Sequence, residues 1–202
     1  MTTRTYTDLL AQIQGLCGVN FASIELPRIV ALINRRAGRA YKACDWWTRY
    51  LHVGEARTVT SNVIPFTQAG LDPIGLFLRI HRTEPWVATA AQEFTFYVDG
   101  AGAHVTAGTL APASAFVTYK EAWTPAITAL STDIPGEFFD YIAYGTYADY
   151  LRAEGQQEKA MIADQEANAI IEEEMTNPQH VATMQMVATR ISTNSNNQLR
   201  NS

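Results

Sequence analysis

The sequence is short of charge, of cysteine and of long apolar runs. Only 17% of its 202 residues are Asp, Glu, Lys or Arg, while 47% are apolar. That balance excludes a disordered chain. It predicts a folded core under a surface unusually low in charge, as expected where much of the surface faces other protein. The net charge of −5 argues against a dedicated nucleic-acid binder, though not against contact with DNA. No apolar run approaches the ~18 residues of a membrane helix, so no membrane association is expected. The opening "MTTRTYTDLL" lacks the apolar stretch of a signal peptide. Cys17 and Cys44 are the only cysteines and belong to no CxxC pair, so two separate buried thiols are expected.

Patterns that carry chemistry are missing as well. His52, His81, His104 and His180 never fall at HxxxH, HExxH or HxH spacing, so no metal set is read from them. His81 could meet His104 across a sheet. Asp99-Gly100-Ala101-Gly102 joins two alternating runs and reads as a hairpin loop, not as a phosphate cradle. Glycosidases need two carboxyls facing each other about 5–9 Å apart across a substrate. The acids of residues 154–174 lie on predicted helix surface instead. No catalytic residue and no cofactor is assigned.

What is present is an ordered succession of patterns. Residues 5–17 predict a short helix, with Leu9, Leu10, Ile13 and Leu16 at helical spacing and Gly18 as a left-handed stop. A longer helix is expected from about Glu25 to Thr48, roughly 36 Å in length. Leu26, Val30, Ile33, Ala37, Ala40, Cys44 and Trp47 share one face of it, and Pro27 suits its first turn.

From Tyr50 the period changes to two. "RTVTSNVIPF" (57–66) predicts two short strands around Ser61-Asn62. "LFLRIHR" (76–82) sets Leu76, Leu78 and Ile80 against Phe77, Arg79 and His81. "EFTFYVDGAGAHVTA" (93–107) places Phe94, Phe96 and Val98 on one face before a turn at Asp99-Gly100. "AFVTYKEAW" (115–123) alternates again. Short alternating runs divided by glycine and proline predict antiparallel sheet over 50–127.

Helix then returns. Pro135 suits a first turn, and Phe138, Ile142, Gly145, Ala148 and Leu151 form an apolar stripe. Gly155 breaks it. The next helix, about 156–175, carries Ala160, Ala163, Ala167 and Ile170 on one face, small residues that allow close packing against Gly145 and Ala148. The aromatic clusters "YKACDWWTRY" and "EFFDYIAYGTYADY" read as packing residues, not as a base-stacking platform. The expected fold class is α+β: a helical scaffold of an N-terminal helix pair and a C-terminal helix hairpin (1–49 and 128–178), an inserted antiparallel β subdomain (50–127) and an extended C-terminal tail (179–202). In that tail "HVATMQMVATRIS" alternates and "TNSNNQLRNS" has no core, so it is expected to order only on a partner.

Charge is distributed unevenly. Residues 154–174 hold seven acids and one base, Lys159, while the long helix carries Arg28, Arg35, Arg39 and Lys42 along one side. These are either two solvated faces or surfaces that meet, within the fold or between copies. Between copies, the contact residues are Arg35, Arg39 and Lys42 against Glu166, Glu172, Glu173 and Glu174.

An N-terminal helix pair ends in "AYKACDWW", and a β insertion closes with "VTYKEAWTPAI". "DIPGEFFDYIAYGTYADYLRAEGQQEKA" then runs into an alanine-rich helix. Over roughly residues 5–176 this order resembles the head-to-tail adaptor (connector or head-completion) proteins of tailed bacteriophages. The resemblance implies a structural virion protein without enzymatic activity. It would form a homo-oligomeric ring, commonly of twelve, beneath the portal protein. The ring would extend the DNA channel and dock the tail or a stopper protein. Its place would be the head–tail neck of the virion, and the host cytoplasm during assembly. Val181, Met184, Met186, Val187, Ile191 and Leu199 are then the expected portal-binding residues. A neck-associated peptidoglycan hydrolase and a tail-completion or tail-tube protein are the alternatives.

Overall fold

The computed structural model describes residues 3–86, 93–106, 112–123 and 126–177. The elements run β1 (Thr3–Arg4), α1 (Tyr6–Cys17), α2 (Leu26–Ala43), β2 (Leu51–Thr58), β3 (Val63–Ile64), β4 (Ile74–His81), β5 (Phe96–Asp99), β6 (Gly102–Val105), β7 (Ser114–Glu121), β8 (Ile134–Pro135), α3 (Gly136–Ala153) and α4 (Gln157–Thr176). The fold is α+β. Two compact units form among the described residues, one from Met1–Cys44 with Thr124–Asn177, the other from Asp45–Trp123. The tail expected over 179–202, with its six portal-binding candidates, lies outside the described residues.

In the helical unit, α1 starts where Thr5 accepts from the Asp8 N–H at 3.2 Å while Asp8 accepts from the Thr5 N–H at 3.0 Å. This capping box satisfies two amides that the first turn leaves without helical partners. Gly18, at φ 69°, ends the helix by donating to the Gln14 carbonyl. Helix α2 is shorter than its apolar pattern suggests, stopping at Ala43 with Cys44 extended. Cys, Asp, Trp and Thr, which fill positions 44–48, are weak helix formers, and the chain turns there toward β2. Trp47 is buried all the same, without helical support. The buried face of α2 is Ile29, Ile33, Arg36, Ala37 and Ala40, with Leu26 and Val30 only half-buried.

The short β1–β8 pair, Thr3 to Pro135 and Arg4 to Ile134, was not expected. It brings the start of α1 beside the start of α3. Helix α3 is the axis of this unit: ten of its 18 residues are buried, and α1, α2 and α4 all pack on it. Phe138, Ile142, Gly145, Ala148 and Leu151 are all among the ten. Gly155, at φ 77°, reverses the chain into α4. Ala160, Ala163, Ala167 and Ile171 are the buried side chains there; Ile170, one residue off that face, is half-buried. Ala160 and Ala163 cluster with Ala148 and Leu151.

In the β unit, β7 lies between β2 and β4 in one antiparallel sheet, and β6 between β3 and β5 in another. Ser61 and Asn62 both adopt positive φ, 51° and 66°, the geometry of a two-residue hairpin turn at the expected place. The simple alternation expected over 76–82 fails. Register shifts between Ile74 and Leu76 and between Phe77 and Arg79 bury Ile74, Phe77 and Ile80, three residues apart. Each bulge inserts a residue and turns the following side chains to the other face. Phe94 and Phe96 pack on the core, but Val98 leaves it near the turn and is exposed. Gly102 (φ 140°) closes the Asp99–Gly102 hairpin because a side chain there would strike the Ile64 carbonyl. His81 lies in the first sheet and His104 in the second, so the two histidines do not pair across strands. No disulfide joins Cys17 and Cys44, and both are half-buried instead of buried.

Candidate functional site

The helical unit is built around one arginine. Arg36 is 2% exposed. Its Nε and Nη2 donate to the two oxygens of Asp149, both at 2.8 Å, and its Nη1 lies 2.8 Å from Asp164 Oδ1. Arg35 reaches Asp149 Oδ2 at 2.6 Å, and Arg152 touches Asp149 at 3.1 Å and Asp164 at 2.7 Å. Burial alone would raise the Asp149 carboxyl, but the hydrogen bonds from Arg36 and Arg35 outweigh it and hold the group down to about 2. Gly145 makes the room. A Cβ there would sit 2.7 Å from Arg36 Cδ and 2.9 Å from its Nε. Gly145 was expected to face the alanines of α4; its lack of a side chain serves the guanidinium of α2 instead.

Part of the basic–acidic meeting therefore happens inside the chain. Arg35, assigned to an intersubunit contact, already holds Asp149. Arg28, Arg39 and Lys42 are exposed and make no ion pair among the described residues. On α4, Glu158, Glu166, Glu172 and Glu173 are exposed, and Glu174 is half-buried. Met161 and Ile162, 59% and 66% exposed, lie among these acids on the side of α4 that turns away from its alanine face.

A second constellation closes one end of the β2–β7–β4 sheet. Antiparallel order brings the start of β2, the end of β7 and the approach to β4 to the same place. His52 stands opposite Tyr119 and stacks on its ring, 4.7 Å between centroids with planes 4° apart. His52 Nε2 lies 3.5 Å from Glu121 Oε2 and 3.8 Å from Asp72 Oδ2. The Tyr119 hydroxyl donates to Glu55 at 2.8 Å and accepts from Arg57, whose guanidinium also lies over the ring at 4.6 Å. Arg57 further donates to the Asp72 carbonyl at 2.7 Å. Burial, then the bond to Glu55, push the Tyr119 hydroxyl well above the ordinary phenol range.

No protein-family model matches the chain, and a search of curated proteins finds no significant match. The residues and their geometry must therefore carry any functional reading.

The sequence reading missed both charge clusters. Asp149 gave a usable signal, since a carboxylate at position 149 falls beside the apolar stripe through Gly145, Ala148 and Leu151 and calls for a buried cation. His52, Asp72 and Glu121 gave none. They are far apart in sequence, and only the strand order assembles them.

Proposed function

We propose that this chain is a structural protein that assembles head-to-tail into a ring, as a head-to-tail adaptor in the neck of a tailed-phage virion. The observation that carries this is the pair of outward helix faces of opposite sign. Arg28, Arg39 and Lys42 line α2, and Glu158, Glu166, Glu172 and Glu173 surround exposed Met161 and Ile162 on α4. Two different faces that complement each other make a heterologous contact, and repetition of such a contact closes a ring when the rotation per copy permits. Met161 and Ile162 supply the desolvated centre that such a contact needs, and the charges supply its rim and register. The succession of helix pair, β insertion and alanine-rich helix supports the adaptor resemblance. In that role the ring would continue the DNA channel of the portal protein and dock a tail or stopper protein. Among the described residues no helix is long and apolar enough to cross a membrane.

Reversing Arg28, Arg39 and Lys42 to glutamate tests the contact while leaving Arg35 on Asp149. Exposed ions contribute about 0–1 kcal/mol each, so the folded chain should melt within a few degrees of wild type. Electron microscopy and mass photometry should show rings for the wild type and none for the variant. Adding Glu166→Lys, Glu172→Lys and Glu173→Lys to the same chain should restore rings. Unaltered rings in the first variant would sink the proposed contact.

A further inference from the structure

We propose that His52, Asp72 and Glu121 bind one divalent transition-metal ion, of which Zn2+ is the best match, and that the ion ties together the ends of β2, β7 and the segment entering β4. This inference is independent of ring assembly.

The geometry fits. Bonds of about 2.0–2.1 Å from a tetrahedral ion place its ligand atoms roughly 3.3–3.4 Å apart. His52 Nε2 is 3.5 Å from Glu121 Oε2 and 3.8 Å from Asp72 Oδ2, and all three ligand atoms lie within 4.8 Å of one another. Both histidine–carboxylate separations already lie within about half an ångström of that value, and side-chain rotation of the two carboxylates would bring them to it as well. One imidazole nitrogen with two carboxylate oxygens suits a borderline ion, whereas Mg2+ and Ca2+ prefer oxygen ligands throughout. Asp72 is the exposed member, so the remaining coordination position opens to water.

The donors are also held in place. Metal-binding side chains work best when neighbours fix their orientation. The His52 ring is fixed by its stack on Tyr119, whose hydroxyl is held by Glu55 and Arg57. The Asp72 carbonyl is held by Arg57, and the Glu121 N–H donates to the Tyr50 carbonyl at 2.7 Å. Tyr119 and Glu121 are two residues apart on β7 and so share a face, while Lys120 between them projects from the other. Without metal the same groups form a histidine–carboxylate cluster, which gives the test its alternative outcome.

The experiment uses the full, untagged chain freed of metal by chelation, titrated with Zn2+ and with Mn2+ by calorimetry and followed by thermal melts. One Zn2+ per chain should bind saturably and raise the melting temperature. Equimolar Mg2+ should not compete. His52→Asn and Asp72→Asn should each weaken Zn2+ binding by at least about tenfold, and His180→Asn should bind as the wild type does. Asp72→Asn keeps the test open if His52→Asn fails to fold, because Asp72 is exposed. Absence of saturable Zn2+ binding at millimolar ion would overturn the proposal, as would undiminished affinity in Asp72→Asn. Either result would leave the histidine–carboxylate cluster as the description of this corner.

Discussion

The two units bury charge in different ways. In the helical unit Arg36, Asp149 and Asp164 meet with Arg35 and Arg152, and the central guanidinium has a carboxylate oxygen within 2.8 Å of each of its three nitrogens. In the β unit Arg57 is buried with Nε and Nη1 lacking a hydrogen-bond partner, and His81 is buried with neither ring nitrogen bonded. The first arrangement joins three helices, since α2, α3 and α4 each contribute a member. The second is tolerated because Glu55 remains partly solvated and because an imidazole can stay neutral. Removing a charge should therefore hurt the helical unit more, and mild acid should trouble the β unit first.

The largest effect is expected at the centre of the helical network. Arg36→Ala leaves Asp149 buried without its main partner and should cost about 3–5 kcal/mol. Arg57→Ala leaves Glu55 near water and two fewer unpaired donors in the core, so about 1–3 kcal/mol is expected. Urea denaturation of the two variants measures the contrast directly. A larger loss for Arg57→Ala would reverse the comparison.

Local signals in the sequence read well and long-range ones did not. Gly18, Gly155 and the Ser61-Asn62 turn each act within a few residues, and the structure places all three where their chemistry predicts. The alanine face of α4 is equally local. Arg36 does not belong to the basic side formed by Arg28, Arg35, Arg39 and Lys42, and its position between Ile33 and Ala40 puts it on the inner face, where arginine is rarely found. What makes it tolerable is Gly145 and Asp149, more than a hundred residues on. The bulges of β4 follow from pairing with β7 and leave no mark in "LFLRIHR". The apolar period of α2 ran past its end because Trp47 is buried for reasons outside the helix.

Helix packing offers a smaller effect, confined to the helical unit. Ala163 is buried in the cluster with Ala148, Leu151 and Ala160, while Gln165 is exposed. Ala163→Leu forces three extra carbons into that contact and should cost about 1–3 kcal/mol. Gln165→Leu should change the melting temperature by little. If the two variants behave the other way round, the close face of α4 is wrongly placed.

The smallest expected effect separates the two units by pH. Burial lowers the His81 pKa below its ordinary 6.5, against an opposing pull from Glu93 and with a lesser push from Arg79. The folded β unit thus holds His81 neutral while the unfolded chain takes up a proton as pH falls through 6.5. Because the unfolded state binds more protons there, this contribution is complete above pH 6.5 and declines below it. One group can change stability by at most about 1.4 kcal/mol per pH unit. Asp149, held down to about 2 from 3.8, contributes fully above pH 3.8 and loses its share only between 3.8 and about 2. All four tryptophans, at 46, 47, 86 and 123, belong to the β unit, so their fluorescence reports that unit alone. Circular dichroism at the helical band reports chiefly the other. Lowering the pH from 7.5 to 5 should move the fluorescence midpoint in urea to lower concentration while the helical midpoint stays nearly fixed. His81→Leu should flatten the fluorescence shift without altering the helical signal. A wild-type fluorescence midpoint that holds steady over that range would mean His81 is as easily protonated in the fold as out of it, and the contrast between the units would then rest on Arg36 alone.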